Sequence, residues 1–412
     1  MTLPCTPVVK IRLGTGASFA NVLILGDALN GILGTNVLGT NTTEFVDVSS
    51  TVQRISIRHG RDRMFEEYLP GECFFSFLDT TGDWNPANTL SPYYGKIRPM
   101  SQVQITTTYN GTDYYLFSGY ITAWDWTWAD PSVDYAIVTV TCQDGFRLMS
   151  LANVDEITGS ANKDLPGERI NQILDEIDWP SSMRNIDTGT TELQKDPDGI
   201  RPALATIQNV EQSDLGAFFV AHNGVATYYS RATLSAKAAG TAYEFDDIGV
   251  GIQYQDIDIN LDETELANEV TLTRVSGSPQ TASDATSIGT YFLRSYARSE
   301  LMMETNAIAL NKAQQILAYR KDARLRVDSI TLDLSSDTNR VEPGLLLEIG
   351  EPIVVRKEIA GGTHLDLRVT IQGHQHDITP DRWIATYSTA YPLSTAFILG
   401  SSEFGVLGTN TL

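Results

Sequence analysis

From residue 52 the chain alternates between apolar and polar positions. In VQRISIRHG (52–60), Val52, Ile55 and Ile57 stand against Arg54, Ser56 and Arg58, the two-residue period of a strand with one buried face. GECFFSFLD (71–79) reads as a second strand, TTGDWNPAN (80–88) is dense in turn formers, and SQVQITTTY (101–109) alternates again. The pair Asn110-Gly111 predicts a tight hairpin into YYLFSGYITAWDWTW (114–128), with YAIVTVTCQD (135–144) after it. Strands at this spacing, separated by turn signals, predict a sandwich or barrel over 48–150.

The period then changes. DLPGERINQILDEIDWP (164–180) places Ile170, Ile173, Leu174 and Ile177 on one helical face, with Asp164 positioned to cap and Pro166 in the first turn. ALATIQNVEQSDLGAFFVAHNGVATYYSR (203–231) reads as helix, strand, a turn at His222-Asn223-Gly224, and strand. A small α+β unit is therefore expected over 151–250. Strands return from 251. The span 300–322 predicts a helix with Met303, Ala307, Leu310 and Leu317 on one face, Glu300 and Glu304 near its start, and Arg320 and Lys321 near its end. Four more strands are expected in 324–334, 345–356, 363–379 and 382–391, making 251–392 a second β-domain with one long helix. The fold class is mainly β with an α+β insertion.

Residues 1–47 are rich in Gly, Asn and Thr and read as an arm rather than a domain. The arm contains ILGDALNGILGTNVL (24–38), and the tail 393–412 contains ILGSSEFGVLGTNTL (398–412); nine of these fifteen aligned positions are identical. Matched glycines fix where each phrase turns. The apolar pairs Ile24-Leu25 with Ile398-Leu399, and Ile32-Leu33 with Val406-Leu407, are too short to bury themselves. They are expected at an interface, added to an exposed sheet edge or a neighbouring subunit. A repeated Gly-rich turn without a shared partner is the plainer alternative.

Composition sharpens the picture. Of 412 residues, 42% are apolar, which supports packed cores, while 19% are charged, below the ~25% of ordinary domains. Low charge is expected where neighbouring subunits cover surface. A net charge of −22 argues against gripping nucleic acid, since phosphate binding needs Lys and Arg, and does not exclude a surface that DNA passes without sticking. Cys5, Cys73 and Cys142 form no CxxC, which predicts neither a disulfide framework nor a zinc ribbon and suits assembly in a reducing cytoplasm. No signal peptide and no membrane-spanning run are read.

Candidate chemistry is sparse. His374 and His376 in HQHD (374–377) face the same side of a strand and are the weak metal candidates; exposed strand-edge or interface histidines are the expected reading. His59, His222 and His364 read as isolated. No GxSxG, HExxH or Cys/His arrangement appears, so no catalytic residue and no cofactor is assigned. The turn 79–88 lacks the closing Glu of a calcium loop. The acid run 256–265 reads as an exposed strand face, and the basic cluster 319–327 as a helix end or intersubunit ion-pair patch. Trp124, Trp126 and Trp128 share a face, a buried or contact face before a sugar platform.

The order of elements resembles the tail hub (minor tail or baseplate hub) proteins of tailed bacteriophages. Four stretches carry the likeness: 55–105 with LFSGYITAW after it; LATIQNVEQSDLGAFFVAHNGVATYYSR; LANEVTLTR with ASDATSIGTYFLRSYARSEL and the helix ALNKAQQILA; and LLEIGEPIVV with VTIQGHQHDITPDRWIATYSTAYP. Together they span 55 to about 392. The resemblance implies two tube-type β-barrel domains flanking the α+β unit, and a homotrimer whose six barrels match a six-fold tail tube above and a three-fold tip below. It implies a virion protein at the distal end of the tail, assembled in the host cytoplasm and not inserted in membrane. Its partners would be a distal tail or tail tube ring, tail spike or fibre proteins, and tape measure protein in the lumen, with DNA passing through unbound. The terminal echo is not a feature of the hub core. The rival readings are a receptor- or carbohydrate-binding tail protein and a tail-associated cell-wall hydrolase.

Overall fold

The computed structural model describes residues 3–14, 44–128, 130, 135–249, 251–335 and 337–393. The first β region comprises β1 (Pro7–Leu13), β2 (Glu44–Asp47), β3 (Val52–Gly60), β4 (Leu69–Asp79), β5 (Gln102–Tyr109), β6 (Thr112–Thr127) and β7 (Ala136–Gln143). All pair antiparallel, in the order β3-β4-β7-β6-β5-β1-β2. Asn110 and Gly111 both take positive φ, 51° and 80°, as a two-residue hairpin with the strands' own twist requires. The N-terminal stretch is more than an arm. In β1, Val9, Ile11 and Leu13 are buried and alternate with Lys10 and Arg12, so this strand belongs to the sheet.

A middle unit follows, with α1 (Phe146–Leu151), β8 (Asn153–Val154), α2 (Pro166–Glu176), β9 (Arg184–Ile186), β10 (Arg201–Pro202), α3 (Ala203–Asp214), β11 (Ala217–Val220), β12 (Ala226–Tyr229) and α4 (Arg231–Ala239). Ile170, Ile173 and Leu174 of α2 pack with Ile207, Val210, Phe218 and Trp179 in one core. Asp164 does not cap α2. The Leu165 N–H donates to the Glu168 carboxylate instead, and Asp164 is drawn aside to accept from Arg169.

The strands β13 (Tyr243–Asp246), β14 (Ile252–Gln253) and β15 (Asp256–Asn260) lead to a separate sheet in the order β17-β16-β18, built from β16 (Glu269–Arg274), β17 (Gln280–Ser283) and β18 (Ser295–Leu301). Two helices accompany this sheet, α5 (Ala285–Tyr291) and α6 (Asn306–Arg320); the sheet and α6 share a core of their own, including Val270, Leu272, Ala309, Ala313 and Ile316. Helix α6 starts later than expected, because Thr305 supplies the cap and accepts from the Ile308 N–H. Its buried face is Ala309, Lys312, Ala313 and Ile316; Ala307 is exposed and Leu310 and Leu317 are half-buried. The closing elements are β19 (Arg326–Asp333), α7 (Val341–Leu346), β20 (Pro352–Ile359), β21 (Thr363–Thr379) and β22 (Arg382–Ala390). The 345–356 stretch is thus a helix end followed by a strand.

β21 is the hinge of the architecture. Its first half pairs with β20, and its second half runs between β22 and β3. The two β regions are thereby one branched sheet with one continuous core, in which Phe75, Phe117 and Val140 join Ile353, Trp383 and Tyr387. Among the described residues no strand pairing closes either region into a ring. Among the described residues no helix is long and apolar enough to cross a membrane.

Candidate metal centre at the β3–β21 seam

On β3 the buried row Ile55, Ile57, His59 faces the core, and on β21 the row Ile378, His376, His374 does the same. The register sets Ile378 opposite Ile55, His376 opposite Ile57 and His374 opposite His59. Backbones approach tightly where the rows end. Gly60 has φ of +95°, and a Cβ there would lie 2.4 Å from the Gln372 carbonyl oxygen, so this crossing admits only glycine. Next to it the Arg61 Nε and Nη2 both donate to Gln372 Oε1, at 2.9 and 2.8 Å.

A third histidine arrives from the middle unit. The turn between β11 and β12 is closed by the Gly224 N–H donating to the Ala221 carbonyl and the Val225 N–H to Asn223 Oδ1. This turn points His222 into the seam. His222 Nε2 lies 2.9 Å from His374 Nε2. The His59 ring stacks 5.4 Å from His222 and meets His374 edge-on at 5.3 Å. One ring nitrogen from each of the three lies within 4.8 Å of the others. All three are buried, with exposures of 5%, 8% and 3% for His59, His222 and His374.

Carboxylates flank the imidazoles. Asp144 Oδ2 lies 4.0 Å from His59 Nε2 and accepts the Gly71 N–H, while Oδ1 accepts the Phe146 N–H. Glu348 Oε1 lies 3.5 Å from His222 Nδ1. Burial, and then the neighbouring histidines, hold His59 and His374 well below the ordinary imidazole range. Burial pushes the Asp144 carboxyl up to about 7 against the two backbone N–H groups that favour its charge. Neutral imidazole is the form that ligates a metal.

The weak candidate pair, His374 with His376, does not share one set of partners. His376 Nδ1 accepts the Trp383 indole N–H at 3.0 Å, and His374 instead meets His59 and His222. Neither His374 nor His376 is an exposed edge residue, because β3 and β22 cover both sides of this part of β21. Nor are His59 and His222 isolated. Only His364 stands apart, exposed near the start of β21. The one signal for this in the sequence is His-x-His on a strand; nothing local marks His59 or His222.

Most of the other candidates are tied up within the chain, whereas Trp128 is exposed. Trp124 and Trp126 stack beside the buried Trp84, and their indole N–H groups donate to the Arg98 and Trp84 carbonyls. The 79–88 turn is held by Asp79 accepting from the Gly82 and Trp84 N–H groups. Arg326 pairs with Asp262 and Asp328, and Lys321 with Asp284, while Arg320 and Arg324 donate to the Glu265 and Ala318 carbonyls, so the basic cluster is used within the chain. Ile24, Leu25, Ile32, Leu33, Ile398, Leu399, Val406 and Leu407 lie outside the described residues.

No protein-family model matches the sequence, and no curated protein matches it. Solved structures do. The chain is similar to the tail protein from Neisseria meningitidis MC58, at 11% identity and TM-score 0.60, over 94% of this chain and 96% of that one. It is also similar to the 43 kDa tail protein of prophage MuSo2 from Shewanella oneidensis, at 14% identity and TM-score 0.56, over 94% and 97%. The likeness anticipated from the four sequence phrases is met at the level of the fold: this chain has the fold of phage tail proteins.

Proposed function

We propose that the protein is a structural, non-enzymatic subunit of a phage-type tail, and that it acts there as the trimeric hub between a six-fold tube and a three-fold tip at the distal end. The observation that carries this reading is the end-to-end likeness in fold to two tail proteins, with nearly the whole of each chain covered. The surface supports assembly. Leu90, Ile200, Leu261 and Phe292 are 92%, 78%, 64% and 81% exposed, apolar area that subunit contacts would cover. In this reading three copies close the tube before infection and then leave a channel for DNA. In this reading the channel-facing side chains are acidic or neutral, in keeping with the net charge of −22, so that phosphate is not held. Tube or distal tail ring, spike or fibre, and tape measure proteins would be its neighbours.

The mass in solution tests the stoichiometry. Light scattering on the purified chain is expected to give three times the 45.2 kDa of one chain. A monomer at all concentrations up to those used for tail assembly, or a hexamer, would count against the hub.

A further inference from the structure

We propose that His59, His222 and His374 bind one divalent transition-metal ion of the zinc class, as a structural clamp at the junction of the first β region, β21 and the middle unit. The inference is independent of the tail assignment. It rests on convergence. The chain has five histidines, and four of them meet here although they come from residues 59, 222, 374 and 376.

The donor set fits such an ion. Zinc holds imidazole nitrogens at about 2.0–2.1 Å, which sets tetrahedral ligand atoms roughly 3.4 Å apart. The three nitrogens stand between a 2.9 Å contact and a 4.8 Å limit, so small ring rotations bring them to that spacing. A donor set of imidazoles without thiolate suits zinc, copper, nickel or cobalt rather than calcium or magnesium. The contact His222 Nε2 to His374 Nε2 joins two groups that each carry a lone pair when an ion lies between them.

Two further observations point to a ligand. His59 Nε2 is buried without a hydrogen-bond partner among the protein groups. Such an orphaned nitrogen is uncommon in a packed core and costly there. The outer carboxylates are placed as a metal site needs them. Glu348 stands at the far nitrogen of His222, the position from which a carboxylate orients a ligating ring. Asp144 beside His59 offsets the positive charge.

The ion would do what the fold needs at this point. His59 belongs to β3, His374 to β21, and His222 to a turn of a unit with a separate core. A single ion binding all three fixes the middle unit against the seam of the branched sheet.

The test uses the untagged full chain, stripped with EDTA and reconstituted with ZnCl2, with metal content read by mass spectrometry and stability by thermal melting. About one zinc per chain is expected, with a melting temperature a few degrees higher than in EDTA and no change with MgCl2. His222→Gln sits in a turn, so it leaves the sheet intact, and is expected to weaken zinc binding at least about 100-fold. His364→Gln, at the exposed histidine, is expected to leave it unchanged. Cobalt in place of zinc should give the intense visible absorption of tetrahedral coordination. Below about 0.1 zinc per chain after reconstitution, or undiminished binding in the His222→Gln protein, would overturn the proposal.

Discussion

Gly71 shows how little room the seam leaves. A Cβ on this residue would come within 2.0 and 2.1 Å of the His59 ring and 2.6 Å of Asp144 Oδ2. The Gly71 N–H also donates to that same oxygen at 2.8 Å, so the backbone cannot withdraw without losing a bond. Gly71→Ala is expected to lower stability by about 2–4 kcal/mol in urea unfolding, an overpacking cost; an unchanged midpoint would show that His59 has room to move. Glu211 supplies a pH dependence away from the histidines. Burial raises its carboxyl from 4.5 to about 8, with Arg61 opposing. The folded protein holds this proton more tightly than the unfolded chain, so its contribution is present below pH ~4.5 and is lost as pH rises toward 8. At about 1.4 kcal/mol per unit the loss is a few kcal/mol. Glu211→Gln should therefore gain on the wild type between pH 5 and pH 8 in parallel urea titrations; a constant difference would contradict this. None of these sites shows in the sequence. His59 and His374 become neighbours through strand register, and register over more than 300 residues is not written in local pattern.

Among the elements, the hairpin at Asn110-Gly111 and the α3–β11–β12 stretch were legible, because turn residues and period stand next to each other in the chain. Helix α6 was only half legible. Lys312 lies in the middle of its buried face and breaks the apolar stripe, while Met303 upstream imitates its continuation. The lysine is explained by what it meets. Its Nζ lies 3.3 Å from the Asp214 carbonyl and 3.9 Å from that residue's Oδ1. Asp214 Oδ2 accepts from the Tyr228 hydroxyl at 2.6 Å, and Thr191 donates to Oδ1. This network pins α6 to the middle unit. Removing one charge of a buried pair costs about 3–5 kcal/mol, whereas replacing the pair by apolar groups is often neutral. Asp214→Asn is thus expected to destabilise by that amount. The double variant Asp214→Leu, Lys312→Met should recover part of it; a double variant no better than the single would show that the pair does not act as a unit.

At the scale of the molecule, the alternating strands made a mostly β fold with an inserted α+β unit readable. The sequence did not reveal that β21 joins both β regions in one sheet, or that 269–320 forms a separate sheet and helix layer. Those depend on pairings between distant strands and on the glycine crossing at Gly60 and Gly373. The reading of β1 as part of an arm failed for a different reason: its alternation is short and adjoins a Gly-rich stretch that dominates the composition. The fold likeness to two tail proteins covers 94% of this chain, and on it rests the proposal of a structural role in a tail. A three-dimensional reconstruction of intact tail particles tests that role most directly. A hub predicts density for this chain as one ring of three copies at the distal end of the tube. Its absence from the particle, or a ring of six or twelve equivalent copies, would contradict it.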